Sequence, residues 1–231
     1  MTVGFSTNVY ENSYKQTLLS DYIREQLKIL AYDFSEYVIT VNNVNDRAEV
    51  ERIIKERFPD FKYYFTDDDS EEVLKSFNLT REDITPGYWY SVNDFCAIWH
   101  SESDYLLHYG DDCKLVQLDN HNFVADSIVV MDGNDKLISS MPAWDSSLYG
   151  PRNESNGDYK NDNFYAGCGF SDQLYIAKMS VFKTDIYHYH HGDSDRFPIG
   201  NTFERRVDAY MRCQEKWRII HKRSYYDHRS W

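Results

Sequence analysis

The sequence predicts an α/β fold with a mostly parallel central sheet flanked by helices and a small antiparallel element in its C-terminal half. Three observations lead there. Short apolar runs and amphipathic stretches alternate four times before residue 115, the pattern of βαβ crossovers. Strong turn signals break that alternation after Met131. A chain of 231 residues with 42% hydrophobic content can bury one sizeable core, so a single domain over 1–231 is expected.

Thr2 to Ser6 read as the first strand. After a polar turn, Leu19, Ile23, Leu27 and Leu30 recur at spacings of four, four and three, which places them on one helix face. Tyr37-Val38-Ile39-Thr40-Val41 is the second strand. Asp46, followed three residues later by Glu49, has the form of a capping box and opens a helix through Val50, Ile53, Ile54 and Phe58 that Pro59 ends. Tyr63-Tyr64-Phe65 is the third strand. Asp67-Asp68-Asp69 sets carboxylates at the positive end of a short helix through Val73, Leu74 and Phe77. Tyr88, Val92, Phe95, Cys96 and Trp99 mark a further helix, and Tyr105-Leu106-Leu107-His108-Tyr109 the fourth strand. Beyond Ile128-Val129-Val130-Met131, the run Asp132-Gly133-Asn134-Asp135 predicts a hairpin or meander. Residues 145–163 have almost no apolar content, which suits a lid over a site or a disordered insertion. Ser171 is expected to cap a short helix through Leu174, Ile176 and Ala177, and Asn201 with Glu204 to open a later one through Phe203, Val207, Tyr210 and Met211.

The charge balance narrows the function. With 38 acidic against 25 basic side chains, a net charge of -13, the chain lacks the broad cationic face that nucleic acid requires, and no nucleic-acid partner is expected. A small anionic ligand needs a metal ion or a local basic pocket to receive it. The 20 tyrosines suit a cavity that stacks on rings and hydrogen-bonds to hydroxyls, as for sugars or bases. Cys96, Cys113, Cys168 and Cys213 form no C-x-x-C pair, so reduced thiols are expected rather than a zinc or disulfide framework. MTVGFSTNVYENSYK has no basic n-region, and no window approaches the roughly 20 apolar residues of a membrane span, so a cytoplasmic protein without a transmembrane segment is expected.

In mainly parallel sheets, ligands bind at the carboxyl ends of the strands. Asp111 and Asp112 end the fourth strand and Asn42-Asn43-Val44-Asn45 the second, so both should open onto one crevice. Two carboxylates at a strand end can hold Mg²⁺ or Mn²⁺, and the cation can neutralise a diphosphate that an acidic protein would otherwise repel. An Asp-rich turn with no ligand has the same residues.

SVNDFCAIWHSESDYLLHYGDDCKL supplies a packed helix, an apolar strand and an acidic strand end in that order, and so resembles the GT-A glycosyltransferases with their D-x-D type motif. The resemblance implies that Asp112 binds the metal holding the diphosphate of a nucleotide-sugar donor, with Asp111 assisting. The chain departs from that pattern at Gly110, where the family has an acid. Gly167-Cys168-Gly169-Phe170-Ser171-Asp172-Gln173-Leu174 resembles the family's glycine-containing segment with an acid at a helix start, which implies Asp172 as catalytic base of an inverting transfer. An acid in a first helical turn would be favoured there anyway. In YHYHHGDSDRF, His190 or His191 resembles the C-terminal histidine with which many members complete the metal site, and a histidine-rich strand edge is the other reading. The family places base and ribose at the ends of the first two strands, which implies Thr7, Asn8, Tyr10, Asn43 and Asp46.

The function so implied is metal-dependent transfer of a sugar from a nucleotide-diphosphate donor such as a UDP-sugar to a glycan or other hydroxyl acceptor. Residues 1–115 would form the nucleotide-binding half and 116–231 the acceptor-binding half. A metal-dependent phosphoesterase or nuclease, built on the Asp pair and the histidines, is one rival. A non-catalytic carbohydrate- or nucleotide-binding module is the other.

Overall fold

The computed structural model describes residues 1–118, 121–144, 161–196 and 199–228. The first half alternates as its periodicity predicts: β1 (Val3–Tyr10), α1 (Tyr14–Leu19), α2 (Tyr22–Leu30), β2 (Glu36–Asn42), α3 (Arg47–Arg57), β3 (Lys62–Phe65), α4 (Thr66–Ser76), α5 (Tyr88–His100) and β4 (Tyr105–Tyr109). Asp46 caps α3 by accepting from the Glu49 N–H at 2.9 Å, and Asp67, Asp68 and Asp69 occupy the first turn of α4. Leu19 falls outside the predicted helical face. The chain breaks at Ser20, extended at ψ 177°, and Leu19 ends α1 half exposed to solvent.

The second half runs β5 (Cys113–Gln117), α6 (Phe123–Asp132), β6 (Leu137–Trp144), β7 (Phe164–Gly167), β8 (Leu174–Lys178), α7 (Met179–Phe182), α8 (Phe203–Cys213) and β9 (Trp217–His228). Two expectations are corrected here. Ile128–Met131 belongs to α6, whose cap Asn122 accepts from the Ala125 N–H at 2.9 Å, so Asp132–Asp135 turns a helix into a strand and closes no hairpin. Leu174, Ile176 and Ala177 form β8, not a helix. Leu174, Tyr175, Ile176 and Ala177 are all fully buried, and a strand covered on both faces has no alternation to distinguish it from a buried helix. The cap of α8 lies one residue beyond the expected one, since Thr202 accepts from the Arg205 N–H.

Among the described residues the nine strands form one sheet in the order β3-β2-β1-β4-β8-β6-β9-β5, with β7 also pairing β9. β1 pairs in parallel with β2 and β4, and β2 with β3. β8 is antiparallel to both β4 and β6, and β9 is antiparallel to β5 and β7 but parallel to β6, which supplies the expected antiparallel element. One apolar cluster packs α2, α3 and α6 on one face through Phe5, Leu107 and Tyr109. The other packs α4, α5 and α8 on the opposite face through Leu106, Tyr175 and Phe203. Successive residues of β4 thus serve opposite layers, as the pleat requires. No helix among the described residues is long and apolar enough to cross a membrane.

Candidate functional site

A cavity of about 450 Å³ opens at the carboxyl ends of β1, β2 and β4. Asn8, Tyr10 and Glu11 line it from β1 and the turn after it, Asn43 from the end of β2, Tyr90, Asn93 and Asp94 from α5, His108, Asp111 and Asp112 from β4 and its end, and Asp172 and Gln173 from the approach to β8. Asn43 takes φ 50°, a left-handed conformation that asparagine tolerates better than most side chains.

Sheet pairing brings the two acidic segments together. The β4–β8 ladder ends at Tyr109 opposite Leu174, and one further bond, from the Gly110 N–H to the Gln173 carbonyl at 2.7 Å, extends it. Asp111 and Asp112 therefore leave one strand beside the point where Asp172 enters its neighbour. This contact also accounts for Gly110. A Cβ there would lie 2.8 Å from the Gln173 carbonyl oxygen, a backbone atom with little freedom to move, so an acid does not fit.

Burial sets the electrostatics. The Asp111 carboxyl is pushed up to about 7 by burial, with a Ser13 hydrogen bond opposing and the Asp112 charge adding to the rise. Its Oδ2 is buried with no hydrogen-bond partner among the described residues. Glu11, Asp94, Asp111, Asp112 and Asp172 line the cavity, and no Lys or Arg does so among the described residues. An orphaned carboxylate oxygen beside a second carboxylate, in a cavity lined by no Lys or Arg among the described residues, is a donor set that fits a hard divalent cation.

Deeper in, Tyr175 donates to Asp94 Oδ1 at 2.8 Å, and burial holds the Asp94 carboxyl well above the usual carboxylate range, with the Asp172 charge adding to it. His108 Nδ1 pairs with Ser6 Oγ at 3.0 Å, its ring stacks on Tyr175 at 5.3 Å, and burial pushes its imidazole down to about 3. At neutral pH His108 is therefore a neutral imidazole, and burial favours the uncharged form of the Asp94 carboxyl beneath the cavity. The Tyr10 hydroxyl accepts from Asn93 Nδ2 at 2.7 Å, and burial drives its phenol upward.

Asn8, Tyr10, Asn43, Asp111, Asp112 and Asp172 share this cavity. Four expected residues lie elsewhere. Thr7 is buried within β1. Asp46 is occupied in capping α3. His190 and His191 sit in an irregular segment before the 3-10 segment Gly192–Arg196, not on a strand: His190 is 3.9 Å from Asp195, and His191 Nδ1 accepts from the Asp193 N–H. Asp172 is in no helix either, since Leu174 begins a strand. The loop expected over 145–163 lies outside the described residues up to position 160. Asn93 and Asp94 were not anticipated. Their signal is a polar pair inside the apolar run Val92 to Ile98, every residue of which is buried.

Asp46→Ala separates the two roles considered for that residue. Losing the cap should cost about 1 kcal/mol of stability, read as a lower urea midpoint, whereas a ligand role would also change any shift of the melting midpoint by added UDP.

No protein-family model matches the sequence, and no curated protein does. Among solved structures, the chain is similar over 100% of its length to GalNAc-T7 with UDP, GalNAc and Mn²⁺, at 11% identity and a TM-score of 0.57. It is also similar to S. aureus TarS 1-349, at 11% identity, TM-score 0.47 and 99% of this chain. A third likeness is to glucosyl-3-phosphoglycerate synthase from Mycobacterium tuberculosis in complex with Mn²⁺, UDP and phosphoglyceric acid, at 12% identity, TM-score 0.43 and 78% of this chain. The chain spans 44%, 60% and 56% of these three chains respectively. Parallel strands that carry a cavity at their carboxyl ends, joined to a mostly antiparallel second half, agree with the first likeness over the whole chain: this protein has the GT-A fold.

Proposed function

We propose that the chain is a metal-dependent glycosyltransferase that moves a sugar from a nucleotide-diphosphate donor to an acceptor hydroxyl with inversion. The observation that carries this reading is a cavity at the carboxyl ends of the parallel strands that gathers five carboxylates and no Lys or Arg among the described residues. Asp111 and Asp112 would hold Mn²⁺ or Mg²⁺, and the ion supplies the positive charge that admits a diphosphate to so acidic a site. Asn8 and Asn43, at the ends of β1 and β2, offer amide groups to base and ribose, and the exposed ring of Tyr90 offers a stacking surface at the rim. Residues 1–115 supply this donor face, and Asp172 comes from the half assigned to the acceptor.

Asp172 takes the proton of the acceptor hydroxyl as that oxygen attacks the anomeric carbon. The new glycosidic bond forms as the bond to the donor phosphate breaks on the opposite face, and the nucleoside diphosphate leaves with the electron pair. Burial disfavours charge on both Asp94 and His108, which limits the repulsion that the floor of the cavity adds against the donor. A phosphoesterase acting on nucleic acid would need a basic groove, which the lining described above does not provide.

The test is thermal melting with ligand combinations, because only ligands that bind the native state stabilise it. UDP with Mn²⁺ is expected to raise the midpoint, and UMP with Mn²⁺ or UDP with EDTA to leave it near the apo value. Equal shifts from UMP and UDP, independent of metal, would remove the diphosphate and metal from the reading. Slow hydrolysis of a UDP-sugar, released as UDP, separates an enzyme from an inert binding module.

A further inference from the structure

A second cluster of ligating side chains lies away from the cavity. His121 precedes α6, Asp126 is on its first turns, and His221 is on β9, 95 residues beyond Asp126. His121 Nδ1 and His221 Nε2 each lie 3.2 Å from the same oxygen, Asp126 Oδ2, and the three atoms fall within 4.8 Å of one another. None of the three lines the cavity that holds Asp111 and Asp112.

We propose that His121, Asp126 and His221 form a zinc-type divalent metal site that fastens α6 to β9. Two ligands bound at about 2.1 Å in tetrahedral geometry stand about 3.4 Å apart, so the two 3.2 Å separations already have the spacing of coordination edges. The imidazole planes are inclined at 68°, presenting their nitrogens from different directions to a common point. His221 is fully buried between the Phe123 and Phe164 rings, and its second nitrogen, Nδ1, is engaged by Ser224 Oγ. That partner fixes the ring with Nε2 toward Asp126, as groups behind metal-bound histidines do. His121 and Asp126 are 32% and 29% exposed, which leaves water a route to the remaining coordination position. Two imidazoles and one carboxylate favour Zn²⁺ over the oxygen-seeking Mg²⁺ or Mn²⁺. The ion preference therefore differs from that of the Asp pair, and the inference stands whether or not the chain transfers sugar.

The ion bears on the rest of the molecule through β9. That strand carries Tyr226, whose hydroxyl lies 3.3 Å from Ser171 Oγ, next to Asp172. A metal tying β9 to α6 fixes the strand whose Tyr226 meets Ser171 beside Asp172.

The experiment uses the full chain, stripped with a chelator, then titrated with Zn²⁺ against a competing dye and, separately, with Co²⁺ followed by its visible spectrum. We expect one tight equivalent of Zn²⁺ with Kd below about 1 µM, and an intense tetrahedral Co²⁺ band. His121→Ala and Asp126→Asn should each lose that equivalent, and Ser224→Ala should weaken it about 10- to 100-fold. The double variant His190→Ala/His191→Ala, and Asp112→Asn, should keep it. X-ray absorption at the zinc edge of the wild-type protein should count two imidazole ligands, a readout that needs no variant to fold. Zn²⁺ binding that survives both His121→Ala and Asp126→Asn, or a wild-type protein that takes up no tight equivalent, overturns the proposal and leaves a hydrogen-bonded His–Asp–His chain.

Discussion

Asp112→Asn is expected to lower donor hydrolysis and transfer by about 10²- to 10³-fold, the usual cost of removing one electrostatic contact to the charge that develops on a leaving group, while the fold is kept. Asparagine preserves the shape of the side chain and its approach to Cys113 Sγ, 3.7 Å from Asp112 Oδ1, so little packing is disturbed. What is lost is the negative charge on which a cation, and through it the diphosphate, depends. The loss should appear both in turnover and in the Mn²⁺ concentration needed for half-maximal stabilisation by UDP. Asp111→Asn is a sharper test of the same idea. Asp111 is buried against a second carboxylate with one oxygen unpartnered, an arrangement costly to the metal-free protein. Its asparagine variant should therefore melt above the wild type in EDTA and below it in Mn²⁺ with UDP. A variant more stable than wild type under both conditions would show that the pair holds no ion.

The reason the place of Asp112 at the strand end was legible in the sequence, and the strand pairing that sets Asp172 beside it was not, is physical. An apolar strand that stops at Gly110-Asp111-Asp112 is a local pattern, and the alternation before it fixes which end of the sheet those acids occupy. The parallel half was readable for the same reason: its helices are amphipathic, and the capping box at Asp46 marks a boundary within one residue. Asp172 was found by resemblance but assigned to a helix. The residues that follow it, Leu174 to Ala177, are buried on both sides of the sheet, and only the non-local pairing of β8 with β4 reveals them as a strand. That pairing is what places Asp172 beside Asp111 and Asp112, so the error in local structure hid the geometry of the site. The histidines lie apart from the cavity for a different reason. YHYHHGDSDRF has metal-binding composition, but the chain spends it in an irregular segment held by Asp193 and Asp195, while His121, Asp126 and His221, isolated in sequence, converge in space.

Glu204→Gln and Asp172→Asn should have opposite consequences. Glu204 lies in the first turn of α8, half-buried, and its carboxyl is pushed up to about 9, first by burial and then by the charges of Asp172, Asp208 and Asp94, with Arg196 opposing. A carboxyl whose folded value is raised above the ordinary 4.5 contributes stability that is fully present below that value and is lost as pH rises through about 9. Wild-type stability should thus decline between pH 5 and pH 9 on account of this residue. Glutamine mimics the neutral acid at every pH, so the variant should match wild type near pH 5 and exceed it increasingly toward pH 9. After discounting for partial exposure and for the shared charge, the difference at pH 9 is about 2 kcal/mol, or about 4–8 °C in a domain of this size. Activity should move the other way between the two sites. Protonated at neutral pH, Glu204 adds no second charge beside Asp172, and its glutamine variant should transfer sugar within about threefold of wild type, a difference of under 1 kcal/mol. Asp172→Asn removes the proton acceptor and should lose about 10²- to 10⁴-fold in kcat with donor binding retained. If instead Asp172→Asn transfers normally while Glu204→Gln is inactive, the base is Glu204 and the direction of its titration, not the position of Asp172, governs the pH profile of the reaction.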